Sequence, residues 1–287
     1  MNRLKGVWLP IVTPFFDNKI DYKSYKKLID YYTPRGISGL IPNGTTGECP
    51  TIEDYEFEEL LEKTVGFNNN RLPIFYGLGG NNTNKILKQL KVVEKYKVDG
   101  ILSVSPYYSR PDQNGIFEHF KAISDSTDLK IIIYNIPFRT GRNIENDTLF
   151  KLAELDNIVG VKDSCGNINQ TMDLIFNRPD NFSVLTGEDI LFYLNLALGG
   201  DGGILAASHL ETEKFVSIMD SIDKNDQNAA LAIWKSIEKF IPLLFKESNP
   251  APIKYYLAKK GLINSAELRL PLTGISDNLK RELDKYL

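Results

Sequence analysis

The stretch Asn157-Ile-Val-Gly-Val-Lys-Asp-Ser-Cys-Gly166 decides how this chain is read. From Ile158 to Val161 it is wholly apolar or glycine, the pattern of a strand buried on both faces, and it then meets a lysine. Strands of that kind belong to parallel α/β architectures. Alternation along the strand puts Gly160 and Lys162 on one face and Val161 and Asp163 on the other. Burial disfavours the charged form of an ammonium, and a neutral amine can attack a ketone to form a Schiff base. A lysine that caps a strand end with its head in water gives the same local sequence, so the remainder of the chain has to decide between the two.

Working outward, the pattern repeats. Strands are expected over Gly6–Val12, Ser38–Pro42, Leu72–Tyr76, Asp99–Val104, Lys130–Tyr134, the lysine strand, Phe182–Thr186 and Gly202–Ala206. Helical patterns stand between them: one capped by Asp21, then Thr51–Gly66, Asn82–Lys97, Gln113–Ser124, Glu145–Leu155, one starting near Asn167, and one ending at Gly199. Four more helices follow the last strand: Glu211–Ile222, Gln227–Phe245, Pro252–Lys260 and Asn278–Leu287. Eight strand-then-helix units predict a (β/α)8 TIM barrel in residues 1–223, with a helical C-terminal extension in residues 224–287. The competing doubly wound sheet would want fewer repeats and a phosphate-binding loop. Gly77-Leu-Gly-Gly80 and Gly199-Gly-Asp-Gly-Gly203 complete neither G-x-G-x-x-G nor the P-loop pattern, and read as close packing at strand ends.

Composition narrows the function. At 287 residues the chain is long enough to bury a core without disulfides or metals. A net charge of −3 with interspersed Lys and Glu lacks the clustered basic face of a nucleic-acid binder. The apolar runs are far short of a membrane span, so no membrane partner is expected. Two cysteines, Cys49 and Cys165, with no signal-peptide pattern ahead of them, point to a reduced, cytoplasmic protein. His119 and His209, the two histidines, lack any metal-ligand spacing, and no G-x-S-x-G elbow exists. No metal is expected.

A barrel does its chemistry at the C-terminal ends of its strands. Those ends carry Thr45 and Thr46, Tyr108, Tyr134, Arg139, Lys162, Gly187 and Ile204. Tyr134 shares the parity of Ile132, so its phenol can lie beside Lys162 and carry protons during carbinolamine formation and dehydration. Thr45 and Thr46 offer hydroxyls and N–H groups for a carboxylate or a relayed proton. Arg139 suits a second carboxylate through its bidentate fork. Singly, each has a plainer use: a core aromatic, a capping pair, a surface arginine. Together on consecutive strand ends they favour a site.

Gly44-Thr-Thr-Gly-Glu48, Ser105-Pro-Tyr-Tyr-Ser-Arg-Pro111, Tyr134-Asn-Ile-Pro-Phe-Arg-Thr-Gly141, Gly160-Val-Lys162 and Asn249-Pro-Ala-Pro-Ile-Lys254 carry a specific resemblance. Over nearly its whole length the chain resembles the pyruvate-dependent class I aldolases of the dihydrodipicolinate synthase and N-acetylneuraminate lyase superfamily, the former branch most closely. The resemblance implies that Lys162 forms an imine with pyruvate, so that no cofactor is required. It implies that Thr45 and Thr46 hold the pyruvate carboxylate and that Thr45, Tyr108 and Tyr134 relay protons. Tyr108 would come from a neighbouring subunit of a homotetramer built as a dimer of dimers. Arg139 would hold the carboxylate of the aldehyde, with Gly187 and Ile204 lining the pyruvate pocket. The implied reaction condenses pyruvate with L-aspartate 4-semialdehyde, a step of lysine biosynthesis.

Departures from the pattern keep alternatives open. Gly202-Gly-Ile-Leu-Ala-Ala-Ser-His209 differs from the synthase pattern and is similar to the sugar-acid branches, whose members cleave a 2-keto-3-deoxy sugar acid to pyruvate and an aldehyde. A non-catalytic keto-acid binding protein is the alternative of another class, though a binder has no use for a reactive amine. Among positions that match a lysine-inhibitor site (Asp54, Phe57, Asn81, Lys85 and Tyr107), Phe57 and Lys85 replace polar and acidic groups, which predicts no feedback by lysine. Leu231, Trp234, Ile237 and Ile241 form a helical stripe that serves core packing or subunit contact.

Overall fold

The computed structural model describes residues 3–287. Its parallel strands are β1 (Gly6–Leu9), β2 (Gly39–Leu40), β3 (Phe75–Gly77), β4 (Gly100–Val104), β5 (Lys130–Asn135), β6 (Ile158–Asp163), β7 (Ser183–Thr186) and β8 (Gly202–Ile204). They form one sheet in the order β2-β1-β8-β7-β6-β5-β4-β3. That order is a cyclic run of eight sequential strands, and the fold is the (β/α)8 barrel that the repeats predict. Strands this apolar, with burial on both faces, are the reason the alternation signal is weak and the run-length signal strong.

The chain divides into two compact units. The first holds the described residues up to Gly6 together with Ile74–Ile204, and the second holds Val7–Pro73 with Leu205–Leu287. In the first, β3 to β8 alternate with the helices Thr83–Val93, Gln113–Ser124, Asn146–Leu152, Ile168–Asn177 and Phe192–Ala197. In the second, the helices Tyr22–Tyr32 and Asp54–Asn68 accompany β2, and Thr212–Asp223, Gln227–Ile237, Ala251–Lys259 and Asp277–Leu283 complete the unit.

Local chemistry sets the boundaries. Asp21 caps the first helix as expected, its side chain accepting from Ser24 N at 3.0 Å. The fourth expected helix is found over Gln113–Ser124 as read, with Asp112 as its cap. Elsewhere proline shortens the elements. β1 stops at Leu9 rather than Val12, because Pro10 has no N–H for a ladder. The expected helix Gln227–Phe245 ends at Ile237, and Pro242 lies in a separate 3-10 turn, Ile241–Phe245. The segment Cys49–Thr51 is also a 3-10 turn, and the following helix begins only at Asp54, behind a capping box of Glu53 and Glu56. Of the stripe on the helix Gln227–Ile237 and beyond it, Ile237 and Ile241 are buried, while Leu231 and Trp234 are half-buried. No helix of the described residues is long and apolar enough to cross a membrane.

Candidate active site

Lys162 sits near the end of β6 with 7 % of its surface exposed. Its register partner on β5 is Tyr134, and its Nζ lies 4.1 Å from the centre of the Tyr134 ring. The amine therefore lies over the face of an aromatic ring, a geometry that favours a cation at that point. Gly187 makes room for this lysine. A Cβ there would stand 2.6 Å from Lys162 Cε and 2.9 Å from its Cγ. Its N–H donates to the Asp163 carbonyl at 2.7 Å, which ties the end of β7 to the end of β6.

The residue after the lysine faces the other way. The Asp163 carboxylate is buried, accepting from Thr171 Oγ1 at 2.5 Å and from Cys165 N at 3.1 Å. Burial raises its pKa, against the lowering effect of those hydrogen bonds. Burial, helped by the Asp163 charge, also pushes the Cys165 thiol up to about 11, so this thiol is a poor nucleophile at neutral pH. A small pocket here is lined by Asp163, Thr171, Thr186, Glu188 and Asn195 among others. Burial raises the pKa of the Glu188 carboxyl, and the nearby Lys162 charge opposes that rise.

Arg139 and Tyr108 stand on the segments that follow β5 and β4. The stretch after β5, expected as a loop, contains a short helix, Pro137–Thr140. Proline at its first turn and Gly141 at φ +71° at its end explain the difference. Asn135 anchors this segment by accepting from Ile144 N at 3.1 Å and donating to Asn143 Oδ1 at 2.9 Å. Arg139 is left exposed, its fork free to meet an anion from solvent. Tyr108 has φ +68° and is 90 % exposed, so the backbone turns its ring outward. Ile204 is buried at the end of β8.

Thr45 and Thr46 belong to the second unit, in the turn after β2. Glu48 N donates to the Thr45 carbonyl at 3.1 Å and Cys49 N to the Gly44 carbonyl at 3.2 Å, closing the turn on itself. Gly47 passes so close to Ile11 O and Asn43 N that a Cβ would lie 3.2 Å from each. Thr46 is buried and Thr45 half-buried. The sequence reading assigned no role to Asn249, Glu48 or Lys254, although two of its quoted motifs contain them. Asn249 donates to Thr46 Oγ1 across 203 residues of sequence, a pairing that no local pattern reveals.

His209, part of the sequence departure after β8, is fully accounted for by the fold. Its Nε2 accepts from Val12 N at 3.3 Å, and its Nδ1 lies 2.8 Å from the Ala206 carbonyl, to which it donates. Burial pushes its pKa down to about 4, so the ring is neutral and both nitrogens are engaged with backbone. Among the described residues no group of three His, Cys, Asp or Glu could hold a metal ion.

The model of the dihydrodipicolinate synthetase family matches residues 3–287. The chain belongs to this family. It is 59 % identical over 285 residues to 4-hydroxy-tetrahydrodipicolinate synthase 2 of Clostridium acetobutylicum, covering 99 % of this chain and 100 % of the relative. It is 39 % identical to 4-hydroxy-tetrahydrodipicolinate synthase of Thermotoga neapolitana, over 95 % of this chain and 94 % of that one. Among solved structures, the synthase of Methylacidiphilum fumariolicum SolV superposes with a TM-score of 0.96 at 36 % identity, covering 99 % of this chain and 95 % of its own. The family is that of class I, lysine Schiff-base pyruvate lyases, and the resemblance read from the five motifs extends over the whole described chain.

Proposed function

We propose that this protein is a 4-hydroxy-tetrahydrodipicolinate synthase, condensing pyruvate with L-aspartate 4-semialdehyde. The observation that carries the reading is the stacking of Lys162 Nζ over the Tyr134 ring on adjacent strand ends, in a chain of this family. Lys162 Nζ adds to the keto carbon of pyruvate, and the carbinolamine loses water to give the imine. The Tyr134 hydroxyl carries the protons of that step, and the family pattern assigns Thr45 and Tyr108 to the same relay. The imine acidifies the pyruvate methyl, and loss of one of its protons gives an enamine that attacks the aldehyde carbon. The acceptor's amino group then displaces Lys162 as the ring closes.

Thr46 and Thr45 hold the pyruvate carboxylate, Arg139 the carboxylate of the aldehyde, and Gly187 and Ile204 bound the pyruvate subsite with backbone. An aldehyde that bears a carboxylate gives Arg139 its purpose. The segment Gly202–His209, which favoured sugar-acid acceptors in the sequence, is used by the fold: His209 spends both ring nitrogens on backbone. The strongly exposed, left-handed Tyr108 supports a partner subunit as its destination, within a homotetramer.

The test is turnover of pyruvate with the semialdehyde, coupled to the reductase that follows, beside borohydride trapping of pyruvate. A kcat/KM of about 10⁴ M⁻¹s⁻¹ or more is expected of an enzyme on its own substrate. Trapping at Lys162 with negligible turnover of the semialdehyde would keep the chemistry and overturn the acceptor. A Lys162→Ala protein that retained turnover would overturn both.

A further inference from the structure

A threonine hydroxyl has one proton to donate, and its neighbours decide where that proton points. Thr46 Oγ1 accepts from Asn249 Nδ2 at 3.0 Å. Both residues are buried, at 3 % and 9 % exposure, so bulk water does not readily replace the amide. With one lone pair already engaged, the hydroxyl keeps its proton for another acceptor.

The segments that carry these two residues are joined by buried charge. Glu48, two residues after Thr46, adopts φ +57° and pairs with Lys254, and the side chains of both are fully buried. Lys254, on the helix that starts two residues after Asn249, also donates to the Glu267 carbonyl at 2.9 Å and lies 4.1 Å over the Phe15 ring. Arg269 closes the cluster. Its backbone N–H reaches Glu48 Oε2 at 3.3 Å, its guanidinium covers Phe15 at 4.3 Å, and it grips Glu56 through two bonds of 2.5 and 2.7 Å. Desolvation offsets most of the stability that such buried pairs offer. What they do supply is fixed geometry, here between the turn that bears Thr46 and the segment that bears Asn249.

We propose that Asn249 is a positioning residue: by donating to Thr46 Oγ1 it directs the threonine proton at the carboxylate of the keto acid, with the Glu48–Lys254 pair holding turn and helix in place. The inference rests on the reading of Thr45 and Thr46 as the carboxylate-binding pair, and Asn249 itself does not touch substrate.

Asn249→Asp tests it, because a carboxylate of nearly the same shape accepts from Thr46 instead of donating to it and so turns the proton away. The variant should raise the pyruvate KM about tenfold or more, the loss of a hydrogen bond to a charged group, and weaken borohydride trapping at low pyruvate. The semialdehyde KM should stay within about twofold. In a Thr46→Val background the same change should add less than about twofold, because no threonine proton remains to be turned, whereas repulsion by the new charge alone would act undiminished. Asn249→Ala, which deletes the donor without adding charge, should show a smaller rise in pyruvate KM and keeps the test open if the aspartate variant does not fold. A wild-type pyruvate KM in these variants, or an undiminished effect in the Thr46→Val background, overturns the inference. A Thr46→Val protein with an unchanged pyruvate KM instead overturns the carboxylate reading on which it rests.

Discussion

Lys162 Nζ stands 4.1 Å from the centre of the Tyr134 ring, and the two residues are direct partners across β5 and β6. The ring and its hydroxyl can therefore be separated by substitution. Tyr134→Phe keeps the aromatic face and removes the hydroxyl proposed to carry protons. Turnover should fall by about 10² to 10⁴, the usual worth of a positioned acid–base group, while pyruvate remains trappable on Lys162. Mass spectrometry after borohydride reduction distinguishes the two effects, and a variant with unchanged kcat would remove Tyr134 from the relay.

Gly187 is required for space rather than for backbone freedom. A methyl group at this position would overlap Ser164 Oγ and lie 2.6 Å from Lys162 Cε. Gly187→Ala should therefore displace the amine and lower kcat/KM by about 10²-fold, the penalty for moving a reacting group by roughly an ångström. The fold should persist, so circular dichroism and activity are measured together. A fully active Gly187→Ala enzyme would contradict the crowding.

The Glu48–Lys254 pair should behave asymmetrically on mutation. Burial pushes the Lys254 pKa down to about 8, against the pull of Glu48. Lys254→Met leaves Glu48 buried without its partner and should cost about 3–5 kcal/mol in urea unfolding. Glu48→Gln combined with Lys254→Met should recover part of that loss, because the unpaired charge is gone. Additive losses in the double variant would show that the pair is not coupled.

Two buried histidines set an acid limit on stability. Burial pushes His119 and His209 each down to about 4 from the ordinary 6.5. Between those values the unfolded chain binds protons that the folded chain refuses, so stability rises with pH in this window and falls as pH drops from 6.5 towards 4. Above pH 6.5 neither histidine contributes a slope. Each contributes a loss on the order of 3 kcal/mol by pH 4, and His119→Gln should flatten part of the slope in urea titrations at pH 4.5 and 7. An unchanged slope would mean that His119 is accessible to protons when folded.

Lysine should not inhibit. The family resemblance read from the sequence implies an acidic group at the position of Lys85, exposed on the helix Thr83–Val93, and a polar one at that of Phe57, which is buried and apolar. Like charges and a missing polar partner oppose binding of the amino acid. Activity in millimolar L-lysine should equal that without it, and half-inhibition below about 1 mM, near −4 kcal/mol of binding, would refute the expectation.

By itself the sequence determined the barrel and singled out Lys162 as the proposed chemical centre. Runs such as Ile158–Val161 and Lys130–Tyr134 are apolar enough to require burial on both faces, and eight such runs with helices between them leave few architectures. Strand parity, together with the adjacency that the barrel order implies, allowed Tyr134 to lie beside Lys162, and the register pairs the two. The ends of elements were less legible where proline stands inside an otherwise periodic run, as at Pro10 and Pro242, or where proline and glycine close a turn of helix around Arg139.

Only the tertiary structure decided what surrounds the threonines and what the histidines do. The bond from Asn249 to Thr46, the pairing of Glu48 with Lys254 and the bond from Val12 N to His209 Nε2 join residues distant in the chain. Each depends on direction and distance between side chains brought together by folding. Hydrophobic periodicity records which residues are buried, but a buried polar group is defined by its partner, and the partner's identity is written nowhere near it in the sequence.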